Sequence, residues 1–287
     1  MTHLDEMVGR VVGVDPRLLE EPEDLASLSL GARHEQALSF FTTATQRLVT
    51  IATPEFGAGP DRILVERIPP ISQPLPADGW KIEKGFLHVP GGKRYDLTAV
   101  ARHPTMGLTI VRDFPGHMRG ALARHTRKTW PELERRLHDL GGALKKHLTE
   151  EVELPILRVI GFGPGALPVG DMALCGLLLT GRALGMGRAP VHWLTRLGME
   201  VRRFQHRTTR FGAAYLKFAL EGRTTTAQEA FFRAMARDFE GAIDLAVDGI
   251  TRERDASGPG FLVGVRVALD MIRADVFAIP VGAAPAA

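Results

Sequence analysis

The hydrophobic period of this chain changes once, near Pro115, from two residues to 3.6, and that change sets its fold class. Before it, Arg47 to Ala52 (RLVTIA) and Arg62 to Ile68 (RILVERI) are short, alternating and rich in β-branched residues. They read as neighbouring strands separated by the turn-rich TPEFGAGPD. Trp80 to Ile82 and Phe86 to Val89 alternate around Lys84-Gly85, which predicts a hairpin in a small antiparallel sheet. The proline-dense IPPISQPLPADG between them cannot join a ladder, because proline has no N–H to donate, so it runs as an exposed loop.

After the change, Leu133, Leu137, Leu140, Leu144 and Leu148 recur at three- and four-residue steps with charged residues between them. This is an amphipathic helix, with Pro131 in its first turn. Further helices are expected at Asp171 to Leu184, Trp193 to Phe204, Phe211 to Leu220, Ala227 to Arg237, Glu240 to Arg252 and Phe261 to Arg273. Gly185, Gly222 and Gly258 punctuate them. Strands first and helices after argue α+β: a strand-rich N-terminal region, 1–115, packed on a helical C-terminal region, 116–287, which could also form one continuous domain.

Composition narrows the function classes. With 45% hydrophobic and 24% charged residues the chain has the make-up of a soluble globular protein, and 287 residues suffice to bury a core without a staple. A net charge of +3 is too small to imply nucleic acid, and two tyrosines and three tryptophans offer no stacking stripe. A single cysteine, Cys175, excludes an intrachain disulfide and a cysteine-built metal site. The opening MTHLDEMVGR lacks an apolar signal core, and no run approaches the length of a spanning helix. The expectation is a cytoplasmic protein that contacts neither membrane nor nucleic acid.

Three polar loops each precede an apolar helix. The first, within LPILRVIGFGPGALPVGDMALCG, reads as a short apolar strand at 154–160, then glycines at 161, 163, 165 and 170, then a helix. Such a loop can aim unpaired amides, those of Gly163 and Gly165 among them, at an anion. It matches neither the dinucleotide fingerprint, since Pro164 and Ala166 stand in the fourth and sixth places of the hexad, nor a Walker motif. The same residues also suit a tight turn with Asp171 capping a buried helix.

In the second, HRTTR at 206–210, the guanidinium of Arg207 suits a carboxylate or phosphate, and Thr208 and Thr209 add hydroxyls. The plainer reading is a helix cap beside a solvated arginine. The third is RDASGPGF at 254–261. Asp255 is an acid or base candidate there, Ser257 a cap, and Gly258 a point of close approach. Arg102, His103, His117 and His125 are weaker candidates, and no metal-ligand spacing is visible.

These loops resemble the AllH-like family, formerly a domain of unknown function. GFGPGALPVGDMALCGLL is similar to that family's GLGPGLTPSGDDFLCGLL, while HRTTRFGAAYLKFALEGR and RDASGPGFLVGVRVAL resemble its Arg-Thr-Thr and Gly-His-Thr-Ser-Gly motifs, in the same order. RLVTIATPEFGAGPDRILVE and DLTAVARH fit the pattern as well. The resemblance implies a carbamoyltransferase-like enzyme or subunit, working with AllF-like and AllG-like partners, that takes an oxamate or carbamoyl phosphate type of anion and needs no cofactor. It leaves open self-association into a homo-oligomer.

By that resemblance Gly161, Gly163, Gly165, Arg207, Thr208, Thr209, Ser257 and Gly258 bind substrate. Asp171 and Asp255 are the catalytic candidates, with Asp171 positioning the loop or substrate and Asp255 or Ser257 near the reacting group. The departures are Leu167, Val169 and Met172 in place of Thr, Ser and the second Asp, Gly212 in place of Ser, and Asp255 in place of His. They remove hydroxyls and an imidazole from positions where a carbamoyl group needs donors. The alternatives are a diverged enzyme with other chemistry on a small carboxylate, or a non-catalytic assembly subunit.

Overall fold

The computed structural model describes residues 9–20, 25–72, 75–76, 79–102, 109, 118–126, 130–145, 152–185, 192–237, 240–252 and 257–277. Their contacts divide the chain into two units: Met1–Gly107 with Arg223–Glu229, and Leu108–Gly222 with Ala230–Ala287. The first carries the strands, the second almost all of the helix, and the class is α+β.

In the strand unit, β1 (Val11–Val14), β2 (Leu28–Arg33), β3 (Ala37–Thr42), β4 (Leu48–Ala52), β5 (Arg62–Val65) and β9 (Ala101–Arg102) form one sheet in the order β2-β3-β4-β5-β1-β9. A four-residue helix, α1 (Arg17–Glu20), follows β1. The expected neighbours β4 and β5 do pair, in parallel, with Thr50 opposite Arg62. The hairpin around Lys84-Gly85 is β6 (Lys81–Glu83) and β7 (Phe86–His88), extended by β8 (Arg94–Asp96) into an antiparallel sheet.

One face of the larger sheet presents Leu38, Phe40, Val49, Ile51, Ile63 and Val65 to a core that includes Trp80, Ile82 and Leu87 of the smaller sheet. Phe40 and Trp80 meet with ring centroids 4.8 Å apart. The opposite face carries Ala37, Ala52 and Leu64, together with buried Ser39, Thr50 and Arg62. Burial on both faces explains why every residue of β3, β4 and β5 is buried.

A charged cluster ties this unit together. Arg47 forks onto Asp61, Nε to Oδ2 at 3.0 Å and Nη2 to Oδ1 at 2.8 Å. Arg223 donates Nη2 to Asp61 Oδ1 at 2.9 Å and to Asp15 Oδ2 at 2.8 Å, and that same Asp15 oxygen accepts the Asp61 amide at 2.7 Å. All four side chains are almost fully buried. Two guanidinia and two carboxylates balance in charge, which is the condition for burying them. Burial by itself would raise the Asp61 carboxyl, but the hydrogen bonds from Arg47 and Arg223 outweigh it and hold the group below its usual range.

The helical unit contains α2 (Met118–Thr126), α3 (Pro131–Lys145), α4 (Glu153–Val159), α5 (Val169–Gly185), α6 (His192–Phe204), α7 (Arg210–Glu221), α9 (Glu240–Arg252) and α10 (Ser257–Phe277). Helix α8 (Thr226–Arg237) starts in the segment counted with the strands and continues into this unit. The α3 leucines 133, 137, 140 and 144 are buried as the period requires, while Leu148 lies outside the described residues.

At the centre α5 and α10 lie backbone to backbone. A Cβ on Gly176 would come within 2.2 Å of the Phe261 carbonyl, and one on Gly264 within 1.9 Å of the Ala173 carbonyl. Only glycine permits that approach. The expected strand at 154–160 is instead α4, whose buried Ile156 and Val159, flanked by buried Val152 and Ile160 at its two ends, follow helical spacing. A run this short carries either period, and Pro155, lying in the first turn, is compatible with the helix.

Candidate functional site

The glycine-rich loop connects α4 to α5. Phe162 N–H bonds the Val159 carbonyl at 3.0 Å, Gly170 N–H bonds the Phe162 carbonyl at 2.8 Å, and Asp171 and Met172 turn back onto Pro168. Gly161, Gly163 and Gly165 all have positive φ, and Gly163 has a second reason to lack a side chain, since its Cβ would stand 2.6 Å from Val169 Cγ1. Phe162 lies under the Arg136 guanidinium of α3, 4.1 Å from ring centroid to Cζ. Among the described residues, the amides of Gly163, Gly165, Ala166 and Leu167 have no acceptor, and Pro164, Gly165 and Ala166 are exposed.

Asp171 joins this loop to the Arg207-Thr208-Thr209 segment. It lies inside the first turn of α5, fully buried, and does not cap that helix. Its Oδ1 accepts the Gly161 amide at 2.8 Å, and its Oδ2 accepts the Thr208 hydroxyl. Burial pushes this carboxyl above its usual range, against the opposing hydrogen bonds from Thr208 and Gly161. Thr209 is the cap of α7, its Oγ1 accepting the Gly212 amide at 2.9 Å, and its hydroxyl donates to the Ala166 carbonyl at 2.5 Å. Two loops 40 or so residues apart in sequence are thus stitched by side chains of the second and the one carboxylate of the first.

Gly212 makes that stitching sterically possible. A Cβ there would lie 2.1 Å from Asp171 Oδ2 and 2.6 Å from Thr208 Oγ1. The resemblance marks Gly212 as a departure from the family's Ser, but its contact with Asp171 and Thr208 depends on a segment far away in sequence and is not legible in the local pattern. Cys175, one turn beyond Asp171, is fully buried, and burial followed by the nearby Asp171 charge pushes its thiol well up.

The other expected site residues divide. Arg207, in a short 3-10 turn before α7, is exposed. Gly258 packs against the Ile250 carbonyl of α9, while Gly260, one step along α10, packs on Val169 at the start of α5. The starts of α5, α7 and α10 therefore adjoin through Asp171, Gly212, Val169 and Gly260. Ser257 opens α10, and nothing is described of its side chain; Asp255 lies outside the described residues. His103 and His117 lie outside them too, as does the side chain of His125, and Arg102 is exposed on β9 of the other unit. Val169 and Met172 are buried apolar groups, each 1% exposed.

Among the described residues no group of three or more His, Cys, Asp or Glu is placed to hold a metal ion, and no helix is long and apolar enough to cross a membrane. Neither curated proteins nor solved structures gave a match to the chain. Residues 159–269, which begin at the glycine loop and run to the end of the third motif's apolar stretch, match the family model described as oxamate carbamoyltransferase subunit AllH. Over that segment the chain is similar to the AllH family.

Proposed function

We propose that this chain is a carbamoyltransferase-related protein that holds a small anion, of the oxamate or carbamoyl phosphate type, at its glycine-rich loop. The observation that carries the reading is the match of residues 159–269 to the AllH subunit of oxamate carbamoyltransferase, a segment that contains all three loops. The amides of Gly163, Gly165, Ala166 and Leu167, which have no acceptor among the described residues, support it, and so does exposed Arg207 on the adjoining segment.

An anion in this position would accept from several amides beside the start of α5 and from a planar guanidinium. In this account Gly161 and Asp171 hold the loop, Thr208 and Thr209 hold the Arg207 segment, and Ser257 and Gly258 open α10. Asp255 is the candidate proton carrier. A subunit of a larger transferase works beside other chains, and AllF-like and AllG-like proteins are the proposed partners.

A second reading is a non-catalytic assembly subunit. What favours it is that Val169 and Met172, at positions where the family form has Ser and Asp, are buried apolar side chains with nothing to offer a reacting group. The test is carbamoyl transfer from carbamoyl phosphate to oxamate, assayed with the chain alone and with AllF-like and AllG-like chains added. Turnover that needs this chain and falls in Asp255→Asn supports the enzyme. Turnover that needs the chain but ignores Asp255→Asn and Arg207→Ala supports the assembly role.

A further inference from the structure

We propose that Asp171 and Thr208 are positioning residues, which hold Arg207 in register with the glycine loop without touching the ligand themselves; this rests on the anion-site reading above. The Asp171 carboxylate is fully buried and each of its oxygens already has a donor, Gly161 N–H on one side and the Thr208 hydroxyl on the other. A carboxylate so placed lacks the exposure with which to meet a substrate, and its negative charge would repel an anion at contact distance.

What it does have is a grip on both loops. Gly161 opens the glycine loop, Thr208 directly follows Arg207, and a Cβ on Gly161 would stand 3.3 Å from the Arg207 carbonyl. The second tie, from Thr209 to the Ala166 carbonyl, fixes the far side of the same loop. The backbone that carries Arg207 is therefore set at short range against the backbone that carries the open amides. An anion held by both needs that distance constant, because a guanidinium a fraction of an ångström out of line loses one of its two parallel hydrogen bonds. Gly212 keeps the grip short, as no larger residue fits beside Asp171 Oδ2.

The test is a double-mutant cycle read by calorimetric titration with inorganic phosphate, oxamate and carbamoyl phosphate. Thr208→Val, which keeps the branched shape and removes the hydroxyl, should weaken binding about tenfold or more. Thr208→Ser should restore it. In an Arg207→Ala background, Thr208→Val should cost nothing further, since there is no longer an arginine to position. Full additivity of the two losses would mean that Thr208 contacts the ligand and would overturn the proposal, as would undiminished affinity in Thr208→Val.

If the parent binds none of the three anions, the reading of the site fails, and amide hydrogen exchange then decides the positioning claim on its own. Faster exchange over residues 161–167 in Thr208→Val supports it, and unchanged exchange overturns it. Should Thr208→Val not fold, Asp171→Asn, of equal volume and with one acceptor oxygen kept, enters the same cycle with the same expectations.

Discussion

Arg223 follows Asp61 by 162 residues in the chain, yet its Nη2 lies 2.9 Å from Asp61 Oδ1. The pair, with Arg47 and Asp15, makes the strand unit depend on a segment that the chain reaches only after α7. Removing one partner of a buried pair strands the other charge, at about 3–5 kcal/mol. Arg223→Met should therefore lose about that much in urea unfolding. Arg124→Met, which breaks an exposed pair with Asp244 at 2.8 Å, should lose no more than about 1 kcal/mol. Equal losses in the two variants would contradict the clamp.

Acid should act on Asp61 and Asp171 in opposite senses. The Asp61 carboxyl is lowered in the folded chain, so the unfolded state binds more protons between that lowered value and the ordinary carboxylate range. The stability it contributes is present above the ordinary range and is lost as pH falls through the folded value. Asp171 is raised, so the folded state binds more protons, and its contribution to stability falls as pH rises from the ordinary range through the raised value. Unfolding free energies measured across acidic pH should lose steepness in Asp61→Asn and gain it in Asp171→Asn. The same pH dependence in both variants and the parent would contradict both assignments.

Much of this organisation is legible in the sequence, and the rest is hidden for physical reasons. The helices from α5 to α10 begin and end within a few residues of where periodicity places them, because long amphipathic segments carry many repeats of one signal. Strands β2 and β3 were not anticipated: β3 is buried at every position, so ALSFFT shows no alternation. The strand expected at 154–160 proved helical because seven residues hold too few turns to separate the periods. At the site, the threonine cap of α7 is legible from local pattern, whereas Asp171, expected as a cap, lies inside the first turn of α5 and does not cap it. The contact of Asp171 with Thr208, the fit of Gly212 beside them and the Arg223 cluster depend on segments far apart in sequence, which no local pattern encodes.

Two glycine substitutions should move stability in opposite directions. Gly212→Ala places a methyl 2.1 Å from Asp171 Oδ2 and should destabilise by at least the 1–3 kcal/mol or so of an overpacked site. Gly142→Ala, in the exposed interior of α3 with nothing within 4 Å of the added carbon, should stabilise by about 0.5–1 kcal/mol. Thermal melts of the two variants should therefore bracket the parent. A melting temperature for Gly212→Ala at or above that of the parent would remove the steric argument.

Cys175 should be chemically silent in the folded chain. Its thiol is buried and pushed well up, so the nucleophilic thiolate is both scarce and inaccessible. A disulfide reagent that titrates free thiols should report none until denaturant unfolds the helical unit, and one afterwards. Rapid labelling of the native protein would show that α5 opens far more readily than its packing on α10 implies.

The glycine loop and Arg207 are expected to hold an anion together. Calorimetric titration of the parent and of Arg207→Ala and Arg207→Lys with oxamate, carbamoyl phosphate and phosphate measures this directly, with a thermal melt of each variant alongside. Binding of at least one anion is expected in the parent. Loss of about 1.5–3 kcal/mol is expected in Arg207→Ala at an unchanged melting temperature, and partial recovery in Arg207→Lys, which keeps the charge but not the planar fork. A folded Arg207→Ala protein that binds as tightly as the parent, or a parent that binds none of the three, would contradict it.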